Sequence, residues 1–226
     1  MEFAPSALPD TEPRHDCPLC PRLVAFRNEL RLEHPDWWNA PIPAFGDRNA
    51  WLAIAGLAPG KHGANRTSRA FTGDFAGDLL YRTLLTYGLA EGSYEARPDD
   101  GLRLNGVIIV NSVRCLPPQN KPTPEEIRTC RPFLEGPLAR LPKVRIVVAL
   151  GAIAHQSAVK AMGGRLPKAK FGHLAEHVMP DGRVLIDSYH CSRYNQNTGV
   201  LTAEMFEAVF ARALMLRDEL EAAQPA

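Results

Sequence analysis

Trp51-Leu52-Ala53-Ile54-Ala55-Gly56-Leu57-Ala58-Pro59-Gly60 is the stretch that decides the fold, because an apolar run passes directly into a loop of glycine and proline. A run without polar alternation is typical of a strand that is buried on both faces of a parallel sheet. Three further runs have the same form, namely Val107–Asn111, Arg145–Leu150 and Val184–Tyr189. The sequence therefore predicts a central, mostly parallel four-stranded sheet whose first strand lies over Trp51–Leu57.

Helical patterns separate these four runs. Phe75–Tyr87 places apolar side chains along one stripe, and Gly88 is the expected stop. Thr123 is the predicted N-cap of a helix over Pro124–Leu134. The two other predicted helices are Ala152–Met162 and Ala203–Ala222. Alternating strands and helices predict a three-layer α/β/α sandwich with right-handed crossovers.

The composition is that of a globular protein, with 45% hydrophobic and 23% charged residues in a chain of 226. No run of 18 apolar residues is present, which excludes a membrane-spanning helix, and the first residues lack the features of a signal peptide. We expect a monomeric, cytoplasmic protein with a flexible segment over residues 1–16 and a single domain over residues 17–222.

The net charge of +1 neither demands nor excludes a nucleic acid partner, because DNA binding needs only a local basic face. One stretch of eleven residues contains no acid and carries four cations, Lys160, Arg165, Lys168 and Lys170. This stretch is interpreted equally well as a basic binding face or as a solvated loop.

The cysteines indicate a metal centre. Cys17 and Cys20 form a C-x2-C motif, and fourteen residues separate Cys115 from Cys130. Four thiolates in this arrangement suit an iron–sulfur cluster or structural zinc, although a zinc ribbon more often repeats C-x2-C in both halves. The alternative is a redox C-x-x-C with two buried thiols. Cys191 follows His190 on a predicted extended chain, where the two side chains point to opposite sides, so we expect no nucleophilic dyad.

The ligand site of such a sheet lies at the carboxyl ends of its strands. There the first strand meets the Gly56–Gly60 loop, and Asp74 begins a helix. Asp74 is interpreted either as a favourable acid in the first turn or as a catalytic group, and the helix start is expected to keep it ionised, as a catalytic role would need. The last strand passes into His190 and a polar loop that includes Arg193 and Tyr194. Neither a G-x-S-x-G elbow nor a P-loop occurs, which argues against an α/β hydrolase or a P-loop enzyme.

Taken together, these segments resemble the uracil-DNA glycosylase superfamily, and specifically its type 5 branch. The resemblance covers roughly residues 17–216. The matching motifs are Gly56-Leu57-Ala58-Pro59-Gly60, Asn65-Arg66-Thr67, Phe71-Thr72-Gly73-Asp74, Val113-Arg114-Cys115, Asn120-Lys121-Pro122-Thr123-Pro124, Ser188-Tyr189-His190 and Asn197-Thr198-Gly199. Better-known branches have a polar residue at the second place of the first motif, whereas this chain has Leu57, which favours type 5 over type 4 and directs attention to Asp74.

The resemblance implies a monofunctional glycosylase that removes uracil and other deaminated bases such as hypoxanthine from DNA, the first step of base-excision repair. It also implies that the four cysteines Cys17, Cys20, Cys115 and Cys130 hold an iron–sulfur cluster, and four cysteines suit a 4Fe–4S cluster. A uracil-only type 4 enzyme and a non-catalytic iron–sulfur module that binds DNA are the alternatives.

For this activity each candidate residue has an expected task. Asp74 orients water and stabilises the sugar cation, and His190 donates a hydrogen bond to the departing base. Backbone N–H groups near Ala58–Gly60 are expected to donate to the same base oxygen, and Gly56, Pro59 and Gly60 fix the turn that brings them there. The remaining expected contacts are Phe71, which stacks on the flipped base, Asn111, which reads its edge, and Arg193 or Tyr194, which holds the emptied base stack open.

Overall fold

The computed structural model describes residues 7–223 and contains a six-stranded mixed sheet in the order β1-β5-β2-β6-β8-β7, with β3 and β4 forming a separate two-stranded sheet. The strands are β1 Phe45–Gly46, β2 Leu52–Gly56, β3 Ala90–Glu91, β4 Arg103–Leu104, β5 Val107–Asn111, β6 Ile146–Leu150, β7 Glu176–Val178 and β8 Val184–Ser188. The four predicted strands correspond to β5, β2, β6 and β8, which are parallel to one another and fully buried.

The sheet is wider than the predicted four strands because each edge carries one short antiparallel strand. β1 pairs with β5, and β7 pairs with β8. Strands of two or three residues are too short to show an alternating pattern, so the sequence contains no signal for them.

Eight α-helices surround the sheet in the described chain: α1 Pro21–Glu33, α2 Ala64–Thr67, α3 Phe75–Thr86, α4 Pro124–Cys130, α5 Pro132–Arg140, α6 Ala152–Ala161, α7 Arg193–Asn197 and α8 Ala203–Ala222. The structure confirms the predicted helices that correspond to α3, α6 and α8. The third predicted helix, over Pro124–Leu134, is two helices, since α5 begins at Pro132, and the expected capping box at Thr123 is present. We did not predict α1, whose buried residues are only Leu23, Arg27 and Leu30.

The apolar core occupies both faces of the sheet. On one face, Ile54 and Ile109 belong to a cluster that includes side chains of α3 and α8. On the other face, the smaller Ala53 and Ala55 share a cluster with side chains of α5 and α6. Helices therefore cover both faces, and the predicted three-layer α/β/α sandwich is confirmed.

The first residues differ from the expected flexible segment over residues 1–16. Residues 1–6 lie outside the described residues. The Ala7 N–H donates to the Ala44 carbonyl at 3.0 Å, and the Ala44 N–H donates to a Glu12 carboxylate oxygen at 2.8 Å. Glu12 also pairs with the fully buried Arg114 guanidinium, so residues 7–16 pack against the rest of the fold. None of the helices between residues 7 and 223 is both long and apolar enough to cross a membrane.

Candidate active site

A cavity of about 510 Å³ opens at the carboxyl ends of β2, β5, β6 and β8, as the topology predicts. The first loop contributes Leu57, Ala58, Pro59 and Gly60 to its wall. The other candidates that line it are Phe71, Asp74, Asn111, His190 and Arg193. Gly56 and Tyr194 are not part of the lining.

Gly56 shapes the cavity from beneath. A Cβ atom at this position would lie 2.3 Å from Asn111 Oδ1 and 3.0 Å from the Phe71 ring. Gly56 and Asn111 are also register partners at the ends of neighbouring parallel strands. Glycine is therefore required so that these two side chains can enter the same cavity.

Asn111 is the least satisfied polar group of the pocket. Its side chain is 4% exposed, and its Oδ1 atom has no hydrogen-bond partner in the described structure. Leaving a buried acceptor unpaired costs about 1–3 kcal/mol, and such groups are uncommon in folded proteins. A ligand with an N–H donor would supply the missing hydrogen bond.

Phe71 is both a core residue and a wall of the pocket. It is 9% exposed and belongs to the core cluster, while its ring centroid lies 6.3 Å from that of His190. Its backbone has a left-handed φ of +55°. The Tyr94 hydroxyl secures this conformation, because it donates to the Phe71 carbonyl at 3.2 Å and accepts from the Gly73 N–H at 3.4 Å.

Asp74 is the N-cap of α3 and also lines the pocket. As N-cap of α3, its Oδ1 accepts from the Gly77 N–H at 3.1 Å. Its Oδ2 faces the first loop, where a Cβ atom at Gly60 would lie 3.3 Å away, and a Cβ atom at the nearby Gly63 would lie 2.3 Å away. Burial raises the pKa of the Asp74 carboxyl, and the Gly77 hydrogen bond opposes this rise. The helix start therefore favours the ionised carboxyl while burial opposes it, and the expectation that Asp74 is ionised stays a prediction.

His190 follows β8 at the opposite wall of the pocket. Burial lowers the pKa of its imidazole, which favours the neutral ring with one N–H to donate. The Asn195 side-chain amide donates to the His190 carbonyl at 2.8 Å, and Gly151, with φ of +94°, leaves room for the His190 side chain. The following Cys191 is fully buried in the core.

Arg193 and Tyr194 lie on α7, a short helix where we expected a loop. The Arg193 guanidinium carbon lies 4.9 Å from the centroid of the Phe75 ring, so this side chain is held at the pocket wall. Tyr194 is 72% exposed beside the opening. The structure thus separates two residues that the sequence treats as equivalent.

The pocket also includes residues to which the sequence assigned no task. The clearest is Asn120, which lines the pocket. Gln119 and Asn120 both have left-handed backbone conformations, with φ of +57° and +58° respectively. Asn120 lies in one of the motifs quoted above, and asparagine tolerates this backbone region well, so a signal was present. The first turn of α6, including Ile153, is a second wall without a polar signal.

The four cysteines Cys17, Cys20, Cys115 and Cys130 meet around a second, separate cavity of about 20 Å³, and none of them forms a disulfide. Burial raises the pKa of the Cys115 thiol to about 12 and that of Cys130 to about 11, and the nearby thiols contribute to both shifts. The Cys130 sulfur accepts from the Arg114 N–H at 3.3 Å.

Two buried arginines surround these cysteines with positive charge. Arg27, 6% exposed, donates twice to the Cys17 carbonyl at 3.2 Å, and Arg114 is fully buried. Buried thiolates need such compensation, so the residues fit a cluster with an anionic ligand set. The spacing also bears on the metal, because Zn–S bonds of about 2.3 Å bring tetrahedral sulfurs to about 3.8 Å from one another. Between residues 7 and 223, no three cysteine sulfurs lie within 4.8 Å of one another.

The only set of three ligand atoms within 4.8 Å in that range belongs to His155, His177 and Asp187. His155 Nδ1 lies 2.7 Å from Asp187 Oδ1, and its Nε2 lies 3.1 Å from the Ala169 carbonyl. The His155 ring is thus held between two oxygen atoms of the protein, and His177 Nε2 lies 3.4 Å from the other Asp187 carboxylate oxygen. We interpret this set as a structural clamp on residues 169–172.

Comparisons with known proteins agree with this geometry. The sequence model of the uracil DNA glycosylase superfamily matches residues 43–214. A type-5 uracil-DNA glycosylase of Thermus thermophilus is 47% identical over 205 residues, covering 88% of this chain and 93% of that protein. The type-5 enzyme of Pyrobaculum aerophilum is 40% identical with 88% of both chains covered, whereas the type-4 enzyme of the same organism is 33% identical over only 56% of this chain.

Proposed function

The chain belongs to the uracil-DNA glycosylase superfamily, and from that premise we propose that it removes uracil and other deaminated bases, such as hypoxanthine, as a monofunctional glycosylase. The reaction hydrolyses the N-glycosidic bond and leaves an abasic site, the first step of base-excision repair. In the described residues no lysine lines the pocket, which supports hydrolysis without a Schiff base and without strand cleavage.

The observation that carries the proposal is the unpaired Oδ1 atom of Asn111 inside the pocket. Uracil and hypoxanthine both have a ring N–H next to a carbonyl, and that N–H is the donor that Asn111 lacks. The amide N–H₂ of the same side chain is a donor for the adjacent carbonyl. Phe71, at the wall beside Asn111, offers a ring face for stacking.

Charge develops at two places when the bond breaks. The base leaves with negative charge, for which we propose His190 and the backbone N–H groups of Ala58 and Gly60 as donors, each worth about 3 kcal/mol in preorganised sites of this kind. The sugar becomes cationic, and we propose that Asp74 stabilises it and orients the attacking water. The Oδ2 atom of Asp74, which lies close to the backbone of Gly60 at the pocket wall, supports this assignment.

The proposed activity on several deaminated bases is supported by the small number of polar groups in the pocket. Leu57 stands where the resemblance expects a polar group in other branches, and a cavity of about 510 Å³ does not exclude a purine by size. A pocket with few directional contacts discriminates weakly between bases. The limited overlap with type-4 relatives, compared with 88% coverage for type-5 relatives, supports the same choice.

The target nucleotide must leave the duplex to reach this pocket, which costs a few kcal/mol. We propose Tyr194 as the residue that fills the emptied stack, since its ring is 72% exposed at the opening while Arg193 packs over Phe75. The enzyme acts on DNA as a proposed monomer. A DNA substrate requires the compartment that holds the DNA, and the cytoplasmic location stays a prediction.

We propose that Cys17, Cys20, Cys115 and Cys130 hold a 4Fe–4S cluster. The wide spacing of their sulfurs favours a multi-iron cluster over a single zinc ion, and the Arg114 N–H contact to Cys130 is the kind of hydrogen bond that cluster thiolates accept. When bound, the cluster would supply structural cross-linking of residues 17–20 to the segment after β5 and to α4, and no bond-breaking chemistry.

The test is incubation of the purified, cluster-containing protein with duplexes that carry one uracil or one hypoxanthine, followed by alkali. We expect cleavage of both duplexes after alkali and of neither before it. Cleavage of the uracil duplex alone would replace the proposal with a uracil-only enzyme. Absence of cleavage in protein with full iron content would replace it with a non-catalytic module that binds DNA.

A further inference from the structure

Residues 168–173 form a segment that lies beside the pocket. The Ala169 carbonyl contacts His155 in α6, the residue directly after Ala154, which lines the cavity. Further along, the His173 ring stacks on Tyr189 with centroids 5.1 Å apart, next to His190. The segment therefore flanks two walls of the pocket, on the edge of the sheet where β8 ends.

A buried, hydrogen-bonded pair of side chains, His155 and Asp187, holds this segment in place. Asp187 and His155 are 0% and 1% exposed, and Asp187 Oδ2 accepts from the Gly172 N–H at 3.3 Å. The Leu174 N–H donates to the Asp187 carbonyl at 2.8 Å, which adds a backbone attachment. A solvated loop would lack such buried contacts. They therefore favour a segment with a defined position, and so the basic binding face, over the solvated loop that the sequence left as the alternative.

The fixed segment presents two lysines to solvent. Ala169 is 7% exposed, whereas Lys168 and Lys170 on either side of it are exposed. Within residues 7–223 neither lysine has a carboxylate partner at ion-pair distance, in contrast to Arg212, which pairs with Glu176 of β7 and with Glu219 of its own helix. Two unpaired cations thus stand on a rigid segment beside the proposed base pocket.

We propose that Lys168 and Lys170 bind backbone phosphates of the duplex that flanks the flipped nucleotide. This inference rests on the proposed function, since it requires DNA across the pocket opening. Each neutralised phosphate releases condensed counterions, so such contacts raise affinity for any sequence and make it depend on salt. The two lysines bind the duplex and take no part in bond cleavage.

The test measures binding of an undamaged duplex by fluorescence anisotropy over a series of salt concentrations. We expect the double variant Lys168→Ala/Lys170→Ala to reduce the slope of log K against log salt by about 1.8, which is about 0.9 for each phosphate contact. The matched control is Arg140→Ala/Lys143→Ala, which removes the same charge from exposed residues before β6, at the amino-terminal ends of the parallel strands and so opposite to the pocket.

Single-turnover excision at saturating protein is the second readout, and it should be unchanged in the lysine variant. A wild-type salt slope in the folded lysine variant, or an equal loss of slope in the control, would overturn the proposed surface. Binding to undamaged DNA needs no catalysis, so the two proposals can fail separately. If the wild-type protein showed no excision and the salt slope still fell by about 1.8 only in the lysine variant, the DNA-binding surface would be supported and the proposed reaction overturned.

Discussion

Replacing Asn111 with leucine should separate stability from activity. Leucine has nearly the shape of asparagine and lacks its polar atoms. In the free protein the Asn111 Oδ1 atom is buried without a hydrogen bond, so removing it should relieve about 1–3 kcal/mol of desolvation cost. In a domain of this size each kcal/mol changes Tm by roughly 2–4 °C, and we therefore expect Asn111→Leu to raise Tm by several degrees.

The same substitution should impair excision. With leucine in place, the polar edge of the bound base would face an apolar side chain, and leaving that edge unpaired costs about 1–3 kcal/mol. Since about 1.4 kcal/mol corresponds to a tenfold change, kcat/KM for uracil should fall roughly 10- to 100-fold. A thermal melt and a steady-state excision assay on the same preparation measure both quantities.

The control is Ser112→Ala, which removes a buried hydroxyl that donates to the Gly56 carbonyl at 2.9 Å beside the pocket. It should lower Tm and leave excision close to wild type. The reasoning would be refuted if Asn111→Leu lowered Tm while reducing activity, because Asn111 would then be a structural residue. Wild-type kcat/KM in a stabilised Asn111→Leu protein would instead show that Asn111 does not contact the base.

The other predictions concern Asp74, the cluster and the wedge. Asp74→Asn keeps an N-cap acceptor, so Tm and DNA affinity should stay nearly intact, whereas loss of the carboxylate should reduce single-turnover excision at least 100-fold; a wild-type rate in the variant would exclude the role of Asp74. Because burial raises the pKa of Asp74 and the ionised form is required, the wild-type rate should fall as the pH drops through that raised pKa. Cys17→Ser should reduce the iron content and lower Tm, whereas the control Cys191→Ala, in the core away from the cluster, should keep the iron. Colourless wild-type protein that contains zinc would contradict the iron–sulfur assignment. Tyr194→Ala should slow excision of uracil from duplex DNA about tenfold and leave excision from single-stranded DNA unchanged. The control is Val200→Ala, which changes another exposed apolar residue on this part of the chain, and equal losses on both substrates would argue against a wedge.

The central fold could be predicted because its strands are buried on both faces. Each of the four parallel strands is a continuous apolar run, and such runs are visible without any alignment. The edge strands β1 and β7 depend on pairing partners distant in sequence, and two or three residues carry no periodicity. Helix α1 was missed for a related reason, since only one residue per turn is buried and its exposed face includes Leu32, 87% exposed.

The site could be predicted in part because parallel strands end together. Gly56 and Asn111 are register partners, as are Leu150 and Ser188, so residues at or just after these positions must meet at one edge. Asn120 could not be placed in this way, because a pair of left-handed residues turns its loop back toward the pocket. The direction of the Asp74 pKa shift also depends on burial, which only the packed structure determines.

The structural interpretation of Asp74 and the proposed catalytic one, which compete when only the sequence is considered, are compatible in the folded protein. Asp74 caps α3 with one oxygen and directs the other toward the first loop. The cap holds only because Gly77 has no side chain, since a Cβ atom there would lie 1.8 Å from the Phe71 carbonyl. Helix α3 and the turn before it are therefore one rigid unit, and the helix cap that stabilises the fold is also what sets the position of the proposed catalytic carboxylate.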